Sequence, residues 1–132
     1  MKLVLGMGCD RNTPLETLER AVALALQEAG GTLADVQRLA TIEAKRDELA
    51  LCQLAQKWGW PLDLHSAEAL AAVKVPNPSP VVLKYMGTPA VAEAAALLSG
   101  GNPGWAALLV EKRKHRGTDG KNATVSVVRM AT

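Results

Sequence analysis

Apolar residues recur at helical spacing early in the chain, where Leu15, Leu18, Val22, Ala25 and Leu26 share one face and Gly30-Gly31 follows as a stop. This pattern predicts a helix over about Thr13 to Ala29, with Glu16 and Arg20 four residues apart on its wet face. Upstream, the apolar run Leu3-Val4-Leu5 reads as a strand, and Gly6-Met7-Gly8-Cys9-Asp10-Arg11-Asn12-Thr13-Pro14 as the strand-to-helix turn. Gly6 and Gly8 allow backbone conformations that a Cβ would forbid. Thr13 has the chemistry of an N-cap, Pro14 suits the first helical position, and Glu16 completes a Thr-x-x-Glu capping box. Such a turn offers backbone N–H groups and the positive end of a helix dipole to an anion, and Arg11 adds a charge.

The rest of the chain alternates in the same manner. Val36 to Ile42 is a second, partly alternating strand, followed by the charged passage Glu43 to Glu48. Asp47 is a candidate N-cap for a second helix with Leu51, Leu54, Ala55 and Trp58 as its buried stripe and Gly59 as its end. Pro61 to Leu64 reads as a third short strand, and Ser66 caps a small helix through Ala72. Three prolines between Val75 and Pro80 mark a restricted connection, Val81 to Tyr85 is strand or extended loop, and Gly87-Thr88-Pro89 repeats the cap chemistry. A largely apolar helix from Pro89 to Leu98, stopped by Gly100-Gly101, is expected to be buried. Trp105 to Val110 and Thr124 to Val128 complete the pattern as an antiparallel pair. This order predicts one domain over residues 1–132, a three-layer α/β/α architecture with a mixed, mostly parallel sheet and a C-terminal antiparallel hairpin.

Composition narrows the picture. Hydrophobic residues make up 48% and charged residues 21%, but aromatics only 3% with no Phe, so the core is built of Leu, Val and Ala. A formal net charge of +2 falls short of what non-specific nucleic-acid binding requires, and no nucleic-acid partner is expected. No apolar run approaches a membrane span and the first residues lead straight into a strand, so no membrane association or export is expected and the protein is placed in the cytoplasm. Cys9 and Cys52 have no metal-type spacing and read as reduced thiols; neither metal nor cofactor is expected.

In an open α/β sheet the ligand crevice lies beyond the carboxyl ends of the parallel strands. Gly6 to Thr13, Thr41 to Glu48 and Tyr85 to Thr88 converge there, supplying Cys9, Arg11, Thr41, Glu43, Lys45 and Asp47. The charged run also reads as a solvated loop and cap. Cys9 is either a thiolate nucleophile favoured by the helix N-terminus and Arg11, or a small residue packed in the turn. Glu93 stands alone in an apolar helix, as a functional carboxylate or facing water. Lys112-Arg113-Lys114-His115-Arg116, with Gly117 and Gly120, reads as part of an exposed, mobile loop, Lys112 to Lys121, that orders on an anionic ligand. For Arg11 the alternatives are an anion contact or a structural pair with Asp10 or Glu43.

Four stretches carry a family resemblance: Gly6 to Thr13, Ala40-Thr41-Ile42-Glu43-Ala44-Lys45-Arg46-Asp47-Glu48, Val91 to Leu97, and Leu109-Val110-Glu111-Lys112 with Thr124 to Val127. The chain resembles the cobalamin-biosynthesis family of the CbiG C-terminal domain and its stand-alone relative CobE. That family usually has a basic residue and a Gly where this chain has Asp10 and Asn12, and a Pro in place of Glu111. CbiG-like proteins open a lactone on a cobalt-precorrin with a further N-terminal region, which has no counterpart in this sequence, so lactone opening is not implied. What the resemblance implies is a protein that binds or processes a precorrin-type tetrapyrrole in the aerobic pathway, or a non-catalytic carrier or interaction subunit working with other cobalamin-pathway enzymes. The ligand-binding set it suggests is Gly6, Gly8, Cys9, Arg11, Asn12, Thr13, Thr41, Lys45, Gly87, Thr88 and Lys112, with Glu43, Asp47 or Glu93 as general base if there is turnover.

Overall fold

In the computed structural model, which describes residues 1–73, 91–101 and 104–130, the chain runs β1 (Leu3–Cys9), α1 (Leu15–Ala29), β2 (Val36–Ile42), α2 (Leu49–Trp58), β3 (Leu62–His65), α3 (Ala67–Ala71), α4 (Val91–Ser99), β4 (Leu108–Arg116) and β5 (Asn122–Arg129). The five strands form one sheet in the order β3-β2-β1-β5-β4. The pairs β1–β2 and β2–β3 are parallel; β1–β5 and β5–β4 are antiparallel. Helices cover both faces, as parallel strands require for their crossovers. The predicted α/β/α fold with a mixed sheet and a terminal hairpin is the one observed. The proline-rich connection, Val81 to Tyr85 and the Gly87-Thr88-Pro89 repeat lie outside the described residues.

The strand side chains divide between two apolar clusters. Leu3, Leu5 and Met7 of β1 point to one face, where they meet Leu18, Ala21, Val22, Ala25 and Leu26 of α1 and Leu51, Leu54 and Ala55 of α2. Val4 points to the other face and joins Ala40, Ile42, Val128, Leu70 and the alanines of α4. Because both faces are covered, β1 reads as a continuous apolar stretch, and each fully buried Leu contributes about 1.5–3 kcal/mol through loss of water contact. β1 also extends past the predicted strand: it pairs with β5 as far as Cys9 and Ala123, so Gly6 and Gly8 are strand residues. Neither has a positive φ. Gly6 is required for another reason, since a Cβ there would overlap the carbonyl oxygen of Ala92 and come within 2.8 Å of Ala96. Its bare backbone lets α4 lie against the sheet.

Several caps differ from the pattern. α1 begins at Leu15 with Pro14 as its N-cap, extended at φ −63° and ψ 150°, and without a side-chain capping bond. The Thr13 hydroxyl instead donates to the Asp10 carbonyl at 2.6 Å, so the Thr13–Glu16 box is not formed. Likewise α2 has Glu48, not Asp47, at its N-cap position, because Asp47 is drawn to Arg11. Ser66 does cap α3, accepting from the Ala69 N–H at 3.1 Å, and Gly30 and Gly59 end α1 and α2 in the left-handed region. Trp58 is 41% exposed rather than in the stripe; it stacks at 6.1 Å on Trp60, which is buried.

The basic run is not a mobile loop. Trp105–Ala107 form a 3₁₀ turn, and β4 carries the chain from Leu108 through Arg116, so Lys112 to Arg116 lie in an edge strand. Charged side chains suit an edge, which they protect from pairing with other chains. The connection beyond is a short bonded turn: the Gly117 N–H donates to Lys121 at 2.8 Å and that of Gly120 to Gly117 at 3.0 Å.

Candidate functional site

The parallel strands deliver the β1–α1 and β2–α2 connections to the same end of the sheet. There Glu48, only 2% exposed, accepts from Arg11 Nη1 through Oε2 at 2.9 Å and from the Asn12 backbone N–H through Oε1 at 2.7 Å. Asp47 Oδ1 accepts from the same Nη1 at 3.0 Å. Asn12 is the one non-glycine described residue with positive φ, at 63°, a conformation that Asn tolerates and Gly adopts freely. On its other side the turn is tied to β5: Asp10 Oδ2 accepts from the backbone N–H of Asn122 at 2.8 Å and from its side-chain amide at 3.2 Å, and Lys121 Nζ donates to the Asn12 carbonyl at 3.4 Å. Arg11 thus makes a structural pair, but with Asp47 and Glu48 rather than Asp10 or Glu43. Both bonds use Nη1, and the side chain stays 53% exposed.

The candidates separate by environment. Burial pushes the Cys9 thiol up, with Lys45 offsetting part of the effect, so the thiol is protonated near neutral pH and the thiolate nucleophile is set aside. It packs against the core beneath α1 and α2, as a small turn residue would. Thr41 is fully buried and its hydroxyl donates to the Met7 carbonyl at 2.7 Å, which joins β2 to β1. Lys45 is half-buried and Glu43 exposed, both in a 3₁₀ turn after β2. Hydrogen bonding from Arg11 holds the Asp47 carboxyl below its usual range. Gly8 leaves space: no described atom lies within 4 Å of where its Cβ would be. Gly87 and Thr88 fall outside the described residues.

Glu93 does not face water. It is fully buried on α4, with Lys112 Nζ of β4 3.2 Å from Oε1. The contact is an ion pair without hydrogen-bond alignment, and among the described residues neither carboxylate oxygen gains a hydrogen bond. Burial pushes this carboxyl up, against the opposing pull of Lys112. Glu48 and Asn122, which build the turn, carry no sequence mark beyond their polar type. Only the burial of Glu48 and the register that sets the exposed Asn122 beside Asp10 reveal them.

A separate cavity of about 610 Å³ lies between α3 and α4, lined by Ala69, Ala72, Val73, Leu97, Leu98, Gly104 and Trp105. It adjoins the amino end of β4, away from Arg11. Among the described residues no His, Cys, Asp or Glu cluster is suited to a metal, and no helix is long and apolar enough to cross a membrane.

Residues 3–128 match the family described as the cobalamin synthesis G C-terminus. The chain is 37% identical over 99 residues to a cobalt-precorrin-5A hydrolase of Priestia megaterium, a match covering 75% of this chain but only 26% of the hydrolase. It is 38% identical over 112 residues to the protein CobE of a Sinorhizobium species, covering 83% of this chain and 71% of that one. Among solved structures, CobE, a protein from the cobalamin biosynthetic pathway, aligns with a TM-score of 0.82 at 34% identity, over 99% of this chain and 92% of the other. The chain therefore belongs to the cobalamin synthesis G C-terminus family, and with it to cobalamin biosynthesis.

Proposed function

We propose that this chain binds a precorrin-type tetrapyrrole at the carboxyl edge of its sheet, in the cytoplasm, as one domain over residues 1–132. The observation that carries the reading is the setting of Arg11. Buried Glu48 anchors Nη1, while the rest of the guanidinium is exposed at the carboxyl edge of the sheet. Asp47 is exposed, and an exposed ion pair is worth only about 0–1 kcal/mol, so a ligand carboxylate can replace it while Glu48 keeps the side chain in place. Precorrins carry several carboxylates, and the relative named as a cobalt-precorrin-5A hydrolase supports this class of ligand. Lys45 and the uncapped N–H groups that open α1 are the further anion-binding groups at this edge. Gly8 gives the ligand room to approach the strand, whereas Gly6, Cys9, Asn12, Thr13 and Thr41 shape the turn from behind.

Binding has more support than turnover. Asp47, held low by Arg11, is a weak base, and Glu93 is sealed beneath α4. The test is titration of the pure protein with precorrin intermediates, following absorbance for binding and product mass for chemistry. Arg11→Ala, with its melting temperature as control, should weaken binding by roughly 1.5–3 kcal/mol, the worth of a charge-assisted hydrogen bond. Equal affinity in a variant that melts like the parent would show that this turn does not hold the ligand.

A further inference from the structure

Gly8 pairs with Thr124 on β5, and Thr124 with Lys114 on β4. Side chains of directly paired antiparallel residues emerge on one face of a sheet, so these three positions form a row across it. Its face follows from β1: Val4 lies in the cluster under α4 and Gly6 abuts Ala92 and Ala96, so Gly8, two residues on, shares that face. β4 agrees, since Arg113 reaches Glu28 of α1 on the opposite face, while Lys112 reaches Glu93 of α4. Lys114, two residues beyond Lys112, is exposed and makes no ion pair among the described residues. Among the described residues no atom of α4 or any other element comes within 4 Å of a Cβ placed at Gly8, and Gly8 and Thr124 are half-buried.

We infer that the bound ligand lies across this row of strand positions, its flat body over Gly8 and Thr124 and one outer carboxylate on Lys114. The inference rests on the proposed function and extends the site to Lys114 of β4. Strands are spaced about 4.8 Å apart, which puts Lys114 roughly 10 Å from Gly8, a span for a wide, multiply carboxylated ring rather than a small acid. Arg11 lies in the turn that follows β1, at the same end of the sheet. Glycine is needed at position 8 on this account because a side chain would occupy the ligand's place, not because of φ or helix packing. Lys112 is engaged with Glu93, so Lys114 is the residue of this strand face that confers selectivity for a larger carboxylate array.

The test uses the full chain and uroporphyrin, an octacarboxylate tetrapyrrole, titrated by fluorescence with the parent, Lys114→Gln, Gly8→Val, Arg113→Gln and Arg11→Ala. Loss of one charge-assisted contact in Lys114→Gln should weaken binding roughly tenfold, with a shallower salt dependence. Gly8→Val should weaken it at least as much without lowering the melting temperature. Arg113→Gln, on the opposite face, should bind as the parent does. If Gly8→Val melts early, Lys114→Gln against Arg113→Gln decides alone. Weakening by Arg11→Ala together with parent-like binding by Lys114→Gln would overturn this inference and leave the proposed function standing. Equal weakening by Lys114→Gln and Arg113→Gln would reduce the effect to overall charge and overturn the inference as well. A parent that binds no uroporphyrin overturns it too; failure to bind precorrins would remove the reading beneath it.

Discussion

Glu48 holds Arg11 from below, with one carboxylate oxygen 2.9 Å from Nη1 while the other accepts the N–H of the next residue, Asn12, at 2.7 Å. A buried acid at the start of α2 thereby fixes both the side chain and the backbone of the turn after β1. Removing it takes away the partner of the Asn12 N–H and leaves Arg11 only the exposed Asp47. Glu48→Ala is expected to lower stability by about 1–3 kcal/mol in urea unfolding. Asp47→Ala, which removes only an exposed pair, should change stability by less than about 0.5 kcal/mol. Equal costs would mean that the two carboxylates share the anchoring.

Asp47 should compete with ligand for Arg11. Asp47→Asn is expected to tighten binding of a carboxylated tetrapyrrole, because a neutral amide yields Nη1 more readily. Weaker binding in a calorimetric titration would instead make Asp47 part of the binding surface.

The two strand glycines should respond oppositely to a methyl group. Gly6→Ala drives a Cβ into the Ala92 carbonyl and Ala96, and such overpacking costs typically about 1–3 kcal/mol. Gly8→Ala meets no described atom and restricts the unfolded chain, so its stability should equal or exceed the parent's. Thermal unfolding of both variants checks the assignment of Gly6 to helix packing.

The ion pair of Glu93 with Lys112 should make stability depend on pH. Burial raises the Glu93 carboxyl in the folded chain, so the folded state holds this proton more tightly than the unfolded state. Ionisation then works against folding, at a cost that grows as pH rises from the unfolded value of about 4.3 through the raised folded value. Glu93→Gln should raise the melting temperature at pH 8 and leave it unchanged near pH 4. Lys112→Met, which leaves the carboxylate unpaired, should be more damaging at pH 8 than at pH 5. Differences that stay constant with pH would show that Glu93 does not titrate in this window.

Cys9 should react slowly. Its thiol is raised by burial, so alkylation of Cys9 in the folded protein at pH 7.5 should lag well behind that in the unfolded chain, where this burial is lost. Fast modification of Cys9 in the native state would restore the case for a thiolate.

Where one physical rule governs a residue, the sequence alone determined the outcome. Helical spacing from Leu15 to Leu26 and the stop at Gly30 defined α1, Ser66 announced its own capping bond, and the alternation of strand and helix implied a sheet covered on both faces. The convergence of the Arg11 turn with the Glu43 to Glu48 passage followed from topology, because parallel strands present their carboxyl ends at one edge. Contacts across the chain decided the rest. Thr13 has the chemistry of a cap, but its hydroxyl donates to the Asp10 carbonyl and no side chain caps α1. Lys112 to Arg116 have loop composition, yet β5 supplied a partner strand and the ladder outweighed local preference. Gly6 and Gly8 look alike in sequence, and only the position of α4 separates a glycine demanded by packing from one that leaves space. Glu93 is buried because the helix that carries it is buried, and Glu48 matters because Arg11 and Asn12, 37 and 36 residues away, come to rest on it. Local sequence specifies elements through short-range sterics and periodicity; which polar group meets which is settled when those elements pack, since burial leaves each donor and acceptor only the partners that the fold brings within reach.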